Sequence, residues 1–311
     1  MKSEFNKGIV EGALMLAAWM VVALITALTP FALATGLLLP VPFVVLTVRR
    51  GLGVSSLAGV LAFVAPLLVG IDIARALSMA LLAVLPGLAL GEGYRRHLRP
   101  TMTFAFGVGG YLISVFLMMN LLSLFLGINL VTEALTLMQR STVFVVEILS
   151  RFQLVPPEAL ENLFRDWLLL EASAVFLLPG LVLVGVTITT FALQNISQLV
   201  LNRLGMKVDS FPPFVTWRFG DWFLWLFVFS LVLRFVGWRL HPLLMVIGYS
   251  TFSPLFYGLV IQGLAVSYWW LRKLKFKILR VAPLLLVVHP FAFMVFSLIG
   301  IADFLMNFRR L

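Results

Sequence analysis

Long apolar runs, separated by short stretches that hold nearly all the charge, dominate this chain. No Asp, Glu, Lys or Arg falls within residues 12–48, 51–71, 100–132, 172–202 or 281–302. Each run reaches the roughly 20 residues that carry a helix across the hydrocarbon of a bilayer. Alternating apolar and polar positions are absent, and a backbone in lipid must satisfy its own hydrogen bonds, so the pattern predicts helices rather than a barrel. Nine spans are expected, at about 9–28, 31–48, 51–69, 74–90, 101–126, 167–201, 221–236, 243–271 and 282–306. Pro40 and Pro42 interrupt the second, because proline has no backbone donor. Pro179–Gly180 should bend the sixth near its middle. The count changes by one if the second span is re-entrant or if the last is a hairpin at His289–Pro290.

One polar interruption keeps a helical period. Glu133, Arg140 and Glu147 recur every seven residues among Leu, Val, Phe and Met, the pattern of a helix with a single polar stripe. Pro156–Pro157 ends it, and residues 158–166 read as a second short helix. Such a segment belongs at a membrane interface, with a lid over a cavity as the sharper alternative. The expected fold is therefore all-α, a polytopic transmembrane bundle of about 8–9 membrane segments. Residues 1–205 form one module, which includes the amphipathic stretch at about 128–166, and residues 206–311 add further helices.

Composition excludes a soluble fold. Charged residues are 12% of the chain and hydrophobic ones 62%, whereas soluble domains carry about 25% charge. The net charge of +10 would raise nucleic acid as a partner in a soluble protein; here the positive-inside rule accounts for it and no nucleic-acid partner is expected. With the amino end in the cytoplasm, 15 of the 23 cationic residues fall on inner segments, including Arg49, Arg50, Arg95, Arg96, Arg99 and the run Arg272, Lys273, Lys275, Lys277, Arg280. Arg309 and Arg310 would then lie outside, against the rule. The expected location is the cytoplasmic membrane of a bacterium. No signal-peptide cleavage pattern is present, so no cleaved leader is expected.

Enzyme signals are missing. The chain has no cysteine, only three scattered histidines (His97, His241, His289), no phosphate loop and no HExxH. No catalytic residue, metal or other cofactor is expected. The remaining candidates are polar or small residues at membrane depth. Asp72 and Arg75, three apart at the start of the fourth span, can pair; with Asn120 and Glu171 they fall on the outer side and mark a candidate substrate pocket, against the plainer reading of interfacial ion pairs. Asp221 reads as a helix N-cap, and Asp303 as a carboxylate within reach of Arg234. Gly51, Ser55 and Gly59 give one span a close-packing face, as do Ala13 and Ala17 in the first. The run from Arg272 to Arg280 suits anionic headgroups as well as setting topology. Trp19, Trp167, Trp217, Trp222, Trp238, Trp269 and Trp270 flank spans and read as interface anchors.

The first span with Ala13 and Ala17, the Pro40–Pro42 segment and the GLGVSSLAGVLAF helix resemble the S components of energy-coupling factor transporters. There an AxxxA pattern docks on a coupling subunit, which implies docking through Ala13 and Ala17 here. Over its full length the chain resembles the YybS-like family of bacterial multi-pass membrane proteins, which brings no assigned activity. The resulting expectation is an integral membrane protein for substrate capture or transport, with an unidentified small-molecule ligand and a membrane coupling subunit as partners besides the bilayer. The alternatives are a non-transporting scaffold or lipid-interacting assembly factor and, more remotely, a lipid-modifying enzyme.

Overall fold

Every described residue in regular structure is helical. The computed structural model describes residues 2–152, 156–272 and 290–309. The helices are α1 (Lys2–Leu28), α2 (Ala32–Gly36), α3 (Val41–Leu68), α4 (Ile73–Arg95), α5 (Pro100–Leu126), α6 (Leu130–Arg151), α7 (Pro157–Arg203), α8 (Trp222–Leu240), α9 (Pro242–Leu271) and α10 (Pro290–Met306), with a 3-10 turn at Phe214–Thr216. Among the described residues, six stretches are long and apolar enough to cross a membrane: Gly8–Leu28, Ala34–Leu68, Ile73–Arg95, Pro100–Leu126, Phe176–Arg203 and Leu243–Leu271. Trp222–Gly237 and Phe291–Met306 are shorter apolar helices. The short helix expected at 158–166 is instead continuous with α7. The chain divides into two units, Met1–Glu133 with Gly185–Phe211, and Ala134–Val184 with Pro212–Leu311.

In the first unit the course of the chain turns on Gly51. Its backbone sits at φ 78°, ψ −179°, so α3 is two helices, 41–50 and 52–68. Their neighbours on α4 reveal the direction of each. In the first limb, Gly87 approaches Phe43 and Gly91 approaches Thr47, so this limb runs parallel to α4. In the second, Gly51 lies against Arg95 and Gly59 against Val84, so this limb runs antiparallel. The chain therefore reverses at one residue. α2 with the first limb makes one pass, broken around Pro40 as the prolines require, and 52–68 makes the next. α5 returns against α4, with Gly110 on Pro86 and Ser114 Oγ donating to Leu81 O at 2.8 Å. The last part of α7 packs antiparallel to α5, through Thr190 on Gly107 and a Gln194 Nε2 bond to Pro100 O of 3.0 Å. Six passes alternate in direction around α4.

Apolar packing and one charge pair hold α1 to this frame. Trp19, Ala23, Leu39, Phe43, Leu46, Ala58, Ala62, Met79 and Ala83 form a continuous buried cluster. Trp19 is 0% exposed and meets Phe43 edge-on at 6.1 Å, so it is a core residue and not an interface anchor. Nearby, Arg50 donates from Nε and Nη2 to the two Glu11 oxygens at 2.9 and 2.8 Å. Its neighbour Arg49 is exposed and makes no ion pair among the described residues. Two adjacent arginines thus differ in role. Arg50→Ala should cost about 1–2 kcal/mol, since a bidentate charged bond is lost at a partly exposed site. Arg49→Ala should stay within about 0.5 kcal/mol. Melting of the purified variants in detergent checks this; equal losses would contradict the assignment.

In the second unit α9 is central. It runs antiparallel to α8, with Gly237 against Leu244 and Met245 and Gly248 against Arg234. It runs parallel to α10: Tyr257 meets Phe293, Gly263 lies between Phe296 and Gly300, and Trp270 meets Phe308. Strict alternation of spans would have made α9 and α10 antiparallel. Residues 273–289, which include the expected start of the last span and His289, lie outside the described residues. The carboxyl end consequently returns to the end of the unit from which α8 departs. Arg234 has no carboxylate partner among the described residues; its guanidinium lies 4.7 Å from the Tyr249 ring and 4.8 Å from the Phe252 ring, a cation–π arrangement.

Candidate functional site

Charge collects at one end of the first unit, where, among the described residues, two groupings are internally ion-paired and four cations form no ion pair. Glu92, 8% exposed, accepts from Arg96 Nε at 2.7 Å and lies 3.5 Å from Arg95 Nη1. Glu11 takes Arg50 as described above. Arg49, Arg99, Arg203 and Lys207 form no ion pair among the described residues. A small cleft of about 40 Å³ opens at this end, lined by Tyr94, His97, Leu98, Pro100, Thr103, Lys207, Val208 and Asp209. Its floor is built of hydrogen bonds: Tyr94 Oη donates to Gln194 O at 3.0 Å, and Gln194 Nε2 donates to Pro100 O at 3.0 Å.

At the opposite end, Asp72 caps α4. It accepts from Arg75 N at 2.9 Å and lies 3.3 Å from Arg75 Nε, with side-chain exposures of 55% and 68%. The α4–α5 register that sets Ser114 beside Leu81 puts Asn120 at the level of Arg75. The Asn120 amide donates to Phe116 O of its own helix at 2.7 Å. The structure thus brings Asp72 and Arg75 together and puts Asn120 at their depth. Glu171 belongs to the second unit, and its side chain lies outside the described residues. Of the small residues, Gly51, Ser55 and Gly59 are buried toward α4, whereas Ala13 and Ala17 are exposed. The headgroup run is described only at Arg272, the C-cap of α9; Lys273, Lys275, Lys277 and Arg280 lie outside the described residues.

The second unit holds a network of buried polar groups. Asp303 and Arg309 pair at 2.8 Å, both side chains 1% exposed. Asp303 Oδ2 also accepts from Gln262 Nε2 at 3.1 Å, and Gln262 Oε1 accepts from Phe219 N at 3.1 Å. Arg309 Nη1 donates to Val215 O at 2.8 Å, and Arg218 Nη1 to Asn307 Oδ1 at 2.9 Å. Asp303 therefore answers to Arg309, not to Arg234. Asp221 occupies the N-cap position of α8 but makes no side-chain cap bond; it takes an ion pair with Arg218 at 3.2 Å instead. Sequence reasoning marked Asp303 and missed Gln262 and Arg309. The available signal was polarity: a glutamine in the middle of an apolar 30-residue helix is costly unless satisfied.

These features define the class: an integral, polytopic helical membrane protein with buried polar pairs and one cationic end. The chain belongs to the family described as "Predicted membrane protein (DUF2232)", whose match spans residues 16–304. It is similar to "Uncharacterized protein YybS" of Bacillus subtilis (strain 168), 24% identical over 314 residues that cover 98% of each chain. The expected YybS-like membership thereby stands. No solved structure matches, and the likeness to S components rests on the sequence features alone.

Proposed function

We propose that this chain is a substrate-capture or transport-related membrane protein whose first unit meets a separate membrane subunit across α1. The observation that carries this reading is the two-sided character of α1. Gly8, Gly12, Trp19 and Ala23 are buried within the unit. Ala13 and Ala17 face outward among Val10, Leu14 and Val21, which are 59%, 60% and 59% exposed. Small residues on an exposed face let a second helix approach closely in lipid. On this reading the positive-inside rule puts the cationic end and the amino terminus in the cytoplasm of a bacterial cell. Substrate arrives at the opposite end, beside Asp72, Arg75 and Asn120.

The Ala13→Trp/Ala17→Trp double variant should lose membrane proteins that co-purify with the wild-type chain, with its melting in detergent unchanged. Undiminished co-purification would rule out docking across α1. A second reading, a non-transporting scaffold or lipid-interacting assembly factor, has its own support. Asp72 and Arg75 satisfy each other, and Gly110 and Ser114 close the α4–α5 contact. Arg75→Ala separates the two readings: an unchanged small-molecule complement by native mass spectrometry favours the scaffold.

A further inference from the structure

We infer that the cleft at the cationic end of the first unit binds a phosphate ester that carries its own hydrogen-bond donor, the chemistry of a glycerophospholipid headgroup. The cleft lies where α4 ends, α5 begins and α7 has just ended, the depth at which spans leave the hydrocarbon. Its walls are held in place. On one side, His97 takes a left-handed φ of 52° and Leu98 N bonds back to Gly93 O at 3.1 Å, so the chain turns sharply between α4 and α5. On the other, Phe211 is wedged against Phe104 and Phe191 at 5.8 and 5.5 Å. Met206 N bonds to Leu201 O at 2.9 Å. Those contacts present Lys207, Val208 and Asp209 to the cleft.

The lining contains groups of both signs that do not neutralise each other. Lys207 and Asp209 are exposed and form no ion pair with each other or with any described residue. A bare phosphate would be attracted to Lys207 and repelled by Asp209. A phosphodiester bearing a hydroxyl or ammonium group satisfies both: Lys207 and His97 meet the phosphate, and Asp209 accepts from the donor. The site is distinct from the Arg272–Arg280 run and from Asp72, Arg75 and Asn120, and it stands whether or not the chain transports anything.

The test uses the full chain, purified and delipidated in mild detergent, with phosphatidylglycerol, phosphatidylcholine or glycerol 3-phosphate added and retention read by native mass spectrometry. Phosphatidylglycerol should be retained in preference to phosphatidylcholine, whose headgroup lacks a donor. Lys207→Gln should lower that retention about fivefold, the effect of one cation at an anionic surface. Asp209→Asn should erase the preference for phosphatidylglycerol over phosphatidylcholine. Arg49→Gln removes the same charge from the same end outside the cleft and should leave retention intact. Both loop residues are exposed, so unliganded melting should be unchanged in each variant. If glycerol 3-phosphate alone binds and Lys207→Gln weakens it, the phosphate-ester site holds and its source is soluble. If Lys207→Gln weakens neither ligand, or Arg49→Gln weakens retention as much, the site is refuted.

Discussion

Arg309→Ala should destabilise the second unit by about 3–5 kcal/mol, the cost of stripping one partner from a buried ion pair. The measurement is the loss of melting temperature of the purified chain in detergent. The size follows from what is left behind. Asp303 would keep only Gln262 as a donor at a side chain 1% exposed, and Val215 O would lose its Arg309 bond. Asp303→Leu/Arg309→Met should recover much of the loss, because replacing both charges with apolar groups avoids stranding either one. The double variant should then cost far less than the sum of the single variants Asp303→Leu and Arg309→Met. A loss below about 1 kcal/mol for Arg309→Ala would mean that the network is not structural. The pair also ties three parts of the unit together: α10, its carboxyl extension and the 3-10 turn before α8.

Gly51→Ala should cost about 2–3 kcal/mol, while Gly53→Ala should be neutral or stabilising by up to about 1 kcal/mol. The two positions share a sequence context and differ in backbone. Gly51 has φ 78° and ψ −179°, a region that essentially only glycine occupies. Gly53 is helical and a methyl there would meet nothing within 4 Å. A methyl at Gly51 would also come 2.7 Å from Arg95 Nη1. The guanidinium end can swing aside, so the backbone term decides the sign. Comparing the two variants by thermal melting tests the reversal of α3 directly: equal effects would show that residue 51 is an ordinary helical position.

Much of the fold was legible because the governing constraint is local. Charge-free runs of sufficient length mark the passes. Pro40 and Pro42 mark where the second pass breaks, and structure gives α2, a turn and then the first limb of α3. The amphipathic stretch is a helix, α6, with Asn129 Oδ1 accepting from Val131 N at 3.0 Å at its start. What escaped was pairing. Asp303 was visible as a buried carboxylate, but its partner lies past the helix end. Asn307, at φ 45°, turns the chain back so that Arg309 reaches beneath α10. Nothing in residue spacing along a helix encodes that return. The close helix contacts were likewise only partly visible: Gly51 and Gly59 were picked out, whereas Gly87 and Gly91 of α4, which admit the first limb of α3, were not.

Of the candidate sites, the residues were legible and the relations among them were not. Asp72 and Arg75 could be paired from an i, i+3 spacing alone. The cleft could not, because His97 and Lys207 are 110 positions apart in sequence and meet only through the antiparallel packing of α5 and α7.

By itself, the sequence determines that this protein lives in lipid, that it does so as helices, that the second pass breaks around Pro40 and which end of the first unit is cationic. Each of these follows from counting apolar residues, prolines and charges against the thickness and polarity of a membrane. Only the tertiary structure decides partnership and the finer directions: that the reversal expected between the second and third spans is made by the single residue Gly51, that α10 runs parallel to α9, that Arg50 serves Glu11 while Arg49 stays free of ion pairs among the described residues, and that Asp303 answers to Arg309. The physical reason is the solvent. A helix that is apolar all round shows no face to choose by periodicity, so its neighbours are selected by backbone approach at small residues and by a few satisfied polar pairs. Those depend on atoms far apart in the chain.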